Sequence, residues 1–180
     1  LSRFDEAEKH YQKTLELDPK YTEAHFNLGN TLFKLSRFEE AEKHYQKTLE
    51  LNPKYIEAYL NFGNLLIKLN RTKEAEVIYK KAIKINSKYA EIYNNLGYVL
   101  KGFGKLEEAE INFNKAIELK PDFKSALLNK GMLLFDKNEF ELSLKFYDLC
   151  DNEESRAYAL ASLYNLGRIK DIYKRIEKNS

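Results

Sequence analysis

The sequence has no tryptophan, one methionine and a single cysteine, Cys150. One cysteine cannot form an intrachain disulfide, and with no visible signal peptide this favours a cytoplasmic protein. No apolar run approaches the roughly 18 residues that a membrane-spanning helix needs. The 30 basic and 28 acidic residues nearly cancel and alternate along the chain, so no basic stripe for nucleic acid is expected.

Proline and glycine are also scarce, with three and seven residues in a chain of 180. Few helix breakers and abundant Lys, Glu, Leu and Ala favour helices. Thirteen tyrosines and eleven phenylalanines supply large side chains for burial. The composition therefore predicts an ordered all-α protein.

A repeat of 34 residues runs through the chain. Residues 1–21 match residues 35–55 except at two positions, Asp5/Glu39 and Asp18/Asn52. The same offset relates several further sets of residues: Gly29, Gly63, Gly97 and Gly131; Ala7, Ala41, Ala75 and Ala109; Tyr11, Tyr45, Tyr79 and Phe113. Such a period is typical of stacked helical repeats.

With Thr22 as position 1, the unit 22–55 has Leu28-Gly29 at positions 7 and 8, Ala41 at 20, Tyr45 at 24 and Pro53 at 32. This pattern resembles the tetratricopeptide repeat. The small residues would let two helices approach closely, the ring would fill the space beside them, and proline would end the second helix. The resemblance implies a right-handed superhelical α-solenoid of antiparallel helix hairpins.

The predicted organisation places helices at 5–17, 22–35, 39–51, 56–69, 73–85, 90–102 and 106–119. The repeat units are 1–21 (the second helix of a truncated repeat), 22–55, 56–89, 90–123, a degenerate repeat at 124–152, and a degenerate hairpin at 153–180. A linker, DNEES, is expected at 151–155. Both ends suggest a piece of a longer protein.

The inner surface of such a solenoid is lined by first helices. Positions 6, 9 and 13 of these helices are the candidate peptide-binding positions, and asparagine dominates position 6. An amide both donates and accepts, so it can pair with the backbone of an extended peptide. The predicted peptide-binding residues are Asn27, Asn30, Lys34, Asn61, Asn64, Lys68, Asn95, Tyr98, Asn129 and Met132.

The asparagine row is similar to the asparagine ladder of the repeats attached to O-linked N-acetylglucosamine transferase. Alternatively, these amides tie neighbouring helices together. Tyr98 and Met132 are pocket candidates, or else packing residues between repeats. Family members that hold the carboxylate of chaperone tails need cations where this chain has Phe26, Glu91 and Asn95, so that clamp is absent.

No catalytic, metal or cofactor site is predicted. His10 and His44 occupy the same repeat position and His25 lies in a first helix, without ligand spacing. We expect His25 to have a structural role and Cys150 to pack as a small apolar group. The GFG at 102–104 is not followed by the Lys-Ser/Thr of a phosphate loop.

The leading functional hypothesis is therefore a non-catalytic scaffold that binds a peptide or partner protein in its inner groove. A second hypothesis makes the chain the recognition segment of a larger enzyme, such as a transferase, whose catalytic domain lies elsewhere. A third is self-association through exposed repeat ends. Binding to nucleic acid or membrane is not expected.

Overall fold

The computed structural model describes residues 3–179, which form eleven helices and no strands. This confirms the predicted all-α class of antiparallel hairpins. The chain divides into two compact units, unit 1 at residues 1–88 and unit 2 at residues 89–180. Among the described residues, no helix is long and apolar enough to cross a bilayer.

Unit 1 contains five helices, each packed against the next along the chain. Their observed ends lie within two residues of the predicted ones. In order they are α1 Arg3–Leu17, α2 Thr22–Lys34, α3 Phe38–Leu51, α4 Ile56–Lys68 and α5 Thr72–Ile85. The first helices of neighbouring repeats, α2 and α4, are also in contact, so their outward faces form one surface.

Unit 2 contains six helices packed in the same sequential manner. They are α6 Ala90–Gly102, α7 Leu106–Leu119, α8 Lys124–Asp136, α9 Phe140–Cys150, α10 Glu153–Asn165 and α11 Ile169–Asn179. The expected linker at 151–155 is wrong in part, because α10 already begins at Glu153. Asp151 takes a left-handed conformation, and Asn152 and Ser155 cap α10 reciprocally, which shortens the connection to two residues.

In the four hairpins from α2–α3 to α8–α9, the core is a ring packed against a glycine. A Cβ placed on Gly29 would lie 2.8 Å from Cε1 of Tyr45, and one on Gly97 would lie 2.7 Å from Cε1 of Phe113. Both rings are almost fully buried. The glycine at position 8 therefore makes room for the ring at position 24 of the same repeat, as the sequence predicted.

The turn inside every hairpin contains one residue with positive φ. The residues are Ser36, Asn70, Gly104, Asn138 and Gly167, with φ between 59° and 72°. Ser36, Asn70 and Asn138 are not glycine, so they adopt the left-handed region at an energetic cost that glycine would not have. The repeated geometry extends to Gly167, so α10 and α11 are joined like the other hairpins.

Three loops before first helices are stabilised by a side chain of the loop itself. The Oδ1 atoms of Asp18, Asn52 and Asn86 accept from the backbone N–H two residues later at 2.9–3.0 Å. This turn also forms at Asn86, where Ser87 replaces the proline. The loop tolerates serine in place of proline because the Asn86 side chain stabilises the turn.

Candidate functional site

A cavity of about 390 Å³ opens on the first-helix face of unit 1. It lies between the last turns of α2 and the middle of α4, above the ring of Tyr45 from α3. Its walls are three amides, two rings and one ammonium group: Asn30, Asn61, Asn64, Phe33, Tyr45 and Lys34. Four of the predicted peptide-binding residues are therefore brought together in one place.

The amides of this cavity are ordered by hydrogen bonds between helices. The Tyr45 hydroxyl donates to Asn30 Oδ1 at 2.9 Å, and Asn61 Nδ2 donates to the same oxygen at 2.7 Å. Burial raises the pKa of the Tyr45 hydroxyl, which keeps it protonated as a donor. The bonds join α3 and α4 to α2, so these asparagines do tie neighbouring helices together.

The next repeat copies part of this arrangement, because the Tyr79 hydroxyl donates to Asn64 Oδ1 at 2.6 Å. Asn27 lies one turn before Asn30 on α2 and is half-buried. Lys34 and Lys68 are exposed at the ends of α2 and α4. Contact between any of these side chains and a peptide stays a prediction.

In unit 2 the asparagines use a residue that sequence reasoning missed. Asn129 Nδ2 donates to Asn94 Oδ1 at 2.9 Å, and Asn94 Nδ2 donates to Asn95 Oδ1 at 3.0 Å. Asn94 is buried, at the position before the predicted row. The sequence contains a signal for this burial, because Asn94 is an amide on a helix face whose other packing residues are apolar.

The apolar candidates of unit 2 differ from each other. Tyr98 is 54% exposed and offers a ring to solvent. Met132 is partly buried against a cluster that includes Tyr147 and Leu163. Much of the Met132 side chain is therefore packed inside unit 2, whereas the Tyr98 ring is accessible to a ligand.

Tyr158 of α10 replaces the asparagine of position 6 when Glu153 is counted as position 1 of its repeat. Its ring stacks on Tyr147, with centroids 5.6 Å apart and planes inclined by 22°. The group formed by Tyr147, Met132 and Tyr158 thus stands where unit 1 has Tyr45, Asn30 and Asn61. An amide network in unit 1 corresponds to an apolar contact in unit 2.

A row of ion pairs links successive second helices of unit 1. Arg37 Nη1 lies 2.7 Å from Glu8 Oε1 while its Nε lies 2.7 Å from Glu40 Oε1. Arg71 repeats the arrangement with Glu42 and Glu74. Hydrogen bonds from the guanidinium groups lower the pKa of the Glu40 and Glu74 carboxyls.

Lys130 occupies the position that holds Leu28 in the first full repeat, and it is 4% exposed. Its Nζ lies 2.7 Å from Glu110 Oε1, and Lys137 Nζ lies 2.6 Å from Glu110 Oε2. The charge on Glu110 thus compensates a buried cation. Hydrogen bonds from Lys130 and then Lys137 lower the pKa of the Glu110 carboxyl.

His25 and Cys150 have the structural surroundings that the sequence indicated. His25 Nδ1 lies 3.0 Å from His44 Nδ1, and its Nε2 lies 3.1 Å from the Pro19 carbonyl oxygen. The buried Cys150 Sγ lies 3.5 Å from the Lys124 carbonyl oxygen.

Comparison with known families decides the classification. Sequence models of the tetratricopeptide repeat (TPR) match residues 22–55, 44–77 and 90–123, and a further model, of the TPR repeat, matches residues 1–36 and 63–102. Together these matches cover residues 1–123. The chain belongs to the tetratricopeptide-repeat family. TPR units serve as scaffolds for interactions between proteins and are typically non-catalytic.

Solved structures of other TPR proteins share this fold. MamA matches with a TM-score of 0.75 and 28% identity, over 86% of this chain and 91% of MamA. PilF of Pseudomonas aeruginosa matches with a TM-score of 0.81 and 21% identity, over 97% and 90%. YrrB, described as a TPR protein with an unusual peptide-binding site, gives 0.74 and 21% identity, over 93% and 89%. No curated protein sequence gives a significant match.

Proposed function

We propose that this chain is a protein-interaction scaffold that binds an extended peptide of its partner on the first-helix face of unit 1. The observation that carries the proposal is the cavity lined by Asn30, Asn61, Asn64 and the ring of Phe33. Its amides come from two successive first helices, α2 and α4. A peptide laid across both helices would meet polar groups from each.

The spacing of the helices suits an extended chain. Packed helices lie about 8–10 Å apart, and an extended peptide advances about 3.3–3.6 Å per residue. One amide would therefore face the peptide backbone at about every third residue. The hydrogen bonds that already join these asparagines hold them in place, so little side-chain entropy is lost when a peptide binds.

The face of unit 2 would contribute apolar contacts by itself. Tyr98 is exposed, and Met132, although partly packed inside unit 2, has a side chain that adapts to its surroundings. Asn95 and Asn129 lie on the same first helices as these residues. The description of YrrB shows that a related fold can carry a peptide-binding site, which supports the proposal by analogy of fold.

Site-specific photocrosslinking tests this proposal. Peptides are first selected from a random library displayed on phage against the whole chain. A benzoylphenylalanine probe then replaces Phe33, whose ring lines the cavity, and in a control it replaces Lys54, which is exposed in the loop before α4. We expect the selected peptide to crosslink to the probe at Phe33 and not to the probe at Lys54.

Crosslinking at Lys54 alone, or equal yields at both positions, would contradict binding in the cavity. Failure to select any peptide would contradict peptide binding by this chain. The cytoplasmic location and the hypothesis of a larger enzyme stay predictions, and the full reading frame tests the latter directly.

A further inference from the structure

At Asn30, the cavity of unit 1 offers only donor groups to a ligand. Asn30 Oδ1 already accepts two hydrogen bonds, from the Tyr45 hydroxyl and from Asn61 Nδ2. A carbonyl oxygen has two lone pairs, so this acceptor is saturated. The Asn30 group still available to a ligand is its NH₂, which only donates.

Lys34 adds a cation to this donor set. Its side chain is exposed, lines the cavity, and forms no ion pair within the part of the chain that the structure describes. Lys68 occupies the equivalent position on α4 and is likewise without an ion pair among the described residues. Lys34 lies one helical turn after Asn30, so its ammonium and the Asn30 amide face the same side of α2.

The corresponding position in unit 2 has the opposite charge and is already paired. Asp136 ends α8, and its Oδ2 lies 2.6 Å from Lys101 Nζ. Gly102 at the end of α6 has no side chain to offer. The cations at this repeat position that form no ion pair among the described residues are therefore Lys34 and Lys68 of unit 1, and Lys34 lines the cavity.

We propose that the cavity receives an acidic side chain, Asp or Glu, of the bound peptide, with its carboxylate held by the Asn30 amide and the Lys34 ammonium. This inference rests on the proposed function, since it names the side chain that the peptide inserts. A carboxylate is an acceptor with no donor, so it complements the Asn30 NH₂ and the Lys34 ammonium, which only donate. Phe33 forms an apolar wall for the methylene groups of the same side chain.

Titration with short capped peptides, followed by NMR of the side-chain amides, tests the inference on the whole chain. The probes are acetyl-Ala-Ala-Glu-Ala-Ala-amide, its Gln analogue with the same amide end, and the Gln analogue with a free C-terminal carboxylate. We expect the Glu peptide to shift the Asn30 NH₂ resonances. Its affinity should exceed that of the capped Gln peptide by about tenfold, the order of one charge-assisted hydrogen bond.

The possible results separate this inference from the proposed function. Equal affinity for the Glu peptide and the capped Gln peptide would overturn the acidic side chain while leaving peptide binding intact. Binding of the free-carboxylate peptide alone would overturn it in favour of a chain terminus. No shift at Asn30 or Asn61 with any probe would overturn both.

Substitutions at the site provide a second readout. Lys34→Gln removes the charge of a side chain without an ion pair, so we expect an unchanged melting temperature and a loss of the preference for Glu over Gln. Asn30→Asp keeps the oxygen that Tyr45 and Asn61 donate to but adds a like charge, and it should abolish binding of the Glu peptide. Lys54→Gln, the charge-matched control, should leave the preference intact; an equal loss there would contradict a local site.

Discussion

Tyr147 stacks on Tyr158 with its ring 99% buried, yet its hydroxyl has no hydrogen-bond partner among the residues that the structure describes. The equivalent Tyr45 and Tyr79 donate to Asn30 and Asn64. In the repeat of Tyr147 the corresponding position holds Met132, which offers no amide. The presence of methionine where the repeats of Tyr45 and Tyr79 have asparagine thus leaves the Tyr147 hydroxyl without an acceptor among the described residues.

This difference predicts opposite effects of one substitution in two repeats. Tyr45→Phe should lower the free energy of unfolding by about 0.5–1.5 kcal/mol, because a hydrogen bond to Asn30 is lost. Tyr147→Phe should leave it unchanged or raise it, because an unpaired buried hydroxyl costs about 1–3 kcal/mol. Urea denaturation of both variants measures this. Equal destabilisation by the two substitutions would contradict the difference in partners.

Gly97→Ala should destabilise the protein. The added Cβ would lie 2.7 Å from Phe113 Cε1, and this ring is 0% exposed, so it has little room to move. Overpacking costs about 1–3 kcal/mol, against a gain of up to about 1 kcal/mol from replacing a helical glycine. Gly102→Ala is the control, because nothing lies within 4 Å of its added Cβ. Thermal unfolding should show a lower melting temperature for Gly97→Ala and no loss for Gly102→Ala.

Ser36→Gly should stabilise the protein by about 0.5–1 kcal/mol, because Ser36 has a φ of 61° that glycine adopts without strain. Ser87→Gly serves as the matched control, since Ser87 is an exposed loop residue without positive φ. It should be neutral or destabilising because of the extra freedom of the unfolded chain. A loss of stability in Ser36→Gly would contradict the strain.

The contact between His25 and His44 predicts a loss of stability in mild acid. His25 Nε2–H donates to the Pro19 carbonyl oxygen at 3.1 Å, and His25 Nδ1 lies 3.0 Å from His44 Nδ1. Desolvation and then the His25 charge lower the pKa of His44 below its ordinary 6.5, while Glu40 opposes the shift. Folding therefore favours neutral His44. This stabilisation is complete above pH 6.5 and is lost as the pH falls through the lowered pKa.

Melting temperatures measured between about pH 7 and pH 5 test this effect. The wild type should lose more stability over that interval than His44→Gln, which cannot titrate. The Glu40 carboxyl, whose pKa the Arg37 hydrogen bond lowers from 4.5, contributes its own loss at lower pH. Parallel curves for the two proteins would show that His44 does not carry the effect.

Self-association stays a prediction, and the exposed apolar residues of α11 allow it to be tested. Ile169, Tyr173 and Ile176 are 43%, 63% and 51% exposed, and their spacing places them along one side of this helix. Light scattering on a size-exclusion column should show a mass that rises with protein concentration, and Tyr173→Lys with Ile176→Lys should remove the rise. A mass of one chain at every concentration would contradict association.

The sequence by itself determined the helical class, the period and the glycine–ring packing. Each of these depends on local chemistry that recurs every 34 residues, such as Gly97 opposite Phe113. Helix ends followed from the same repetition. The linker at 151–155 was misjudged because the cap formed by Asn152 and Ser155 depends on the left-handed turn at Asp151.

The tertiary structure decided which polar residues pair. Asn30 and Asn61 are 31 residues apart in sequence, and the distance between their side chains is set by how α4 packs on α2. The same holds for buried Lys130 and its partner Glu110, which lie on different hairpins. Periodicity specifies which face a residue occupies, but hydrogen bonds form at about 3 Å, a distance that only packed helices define.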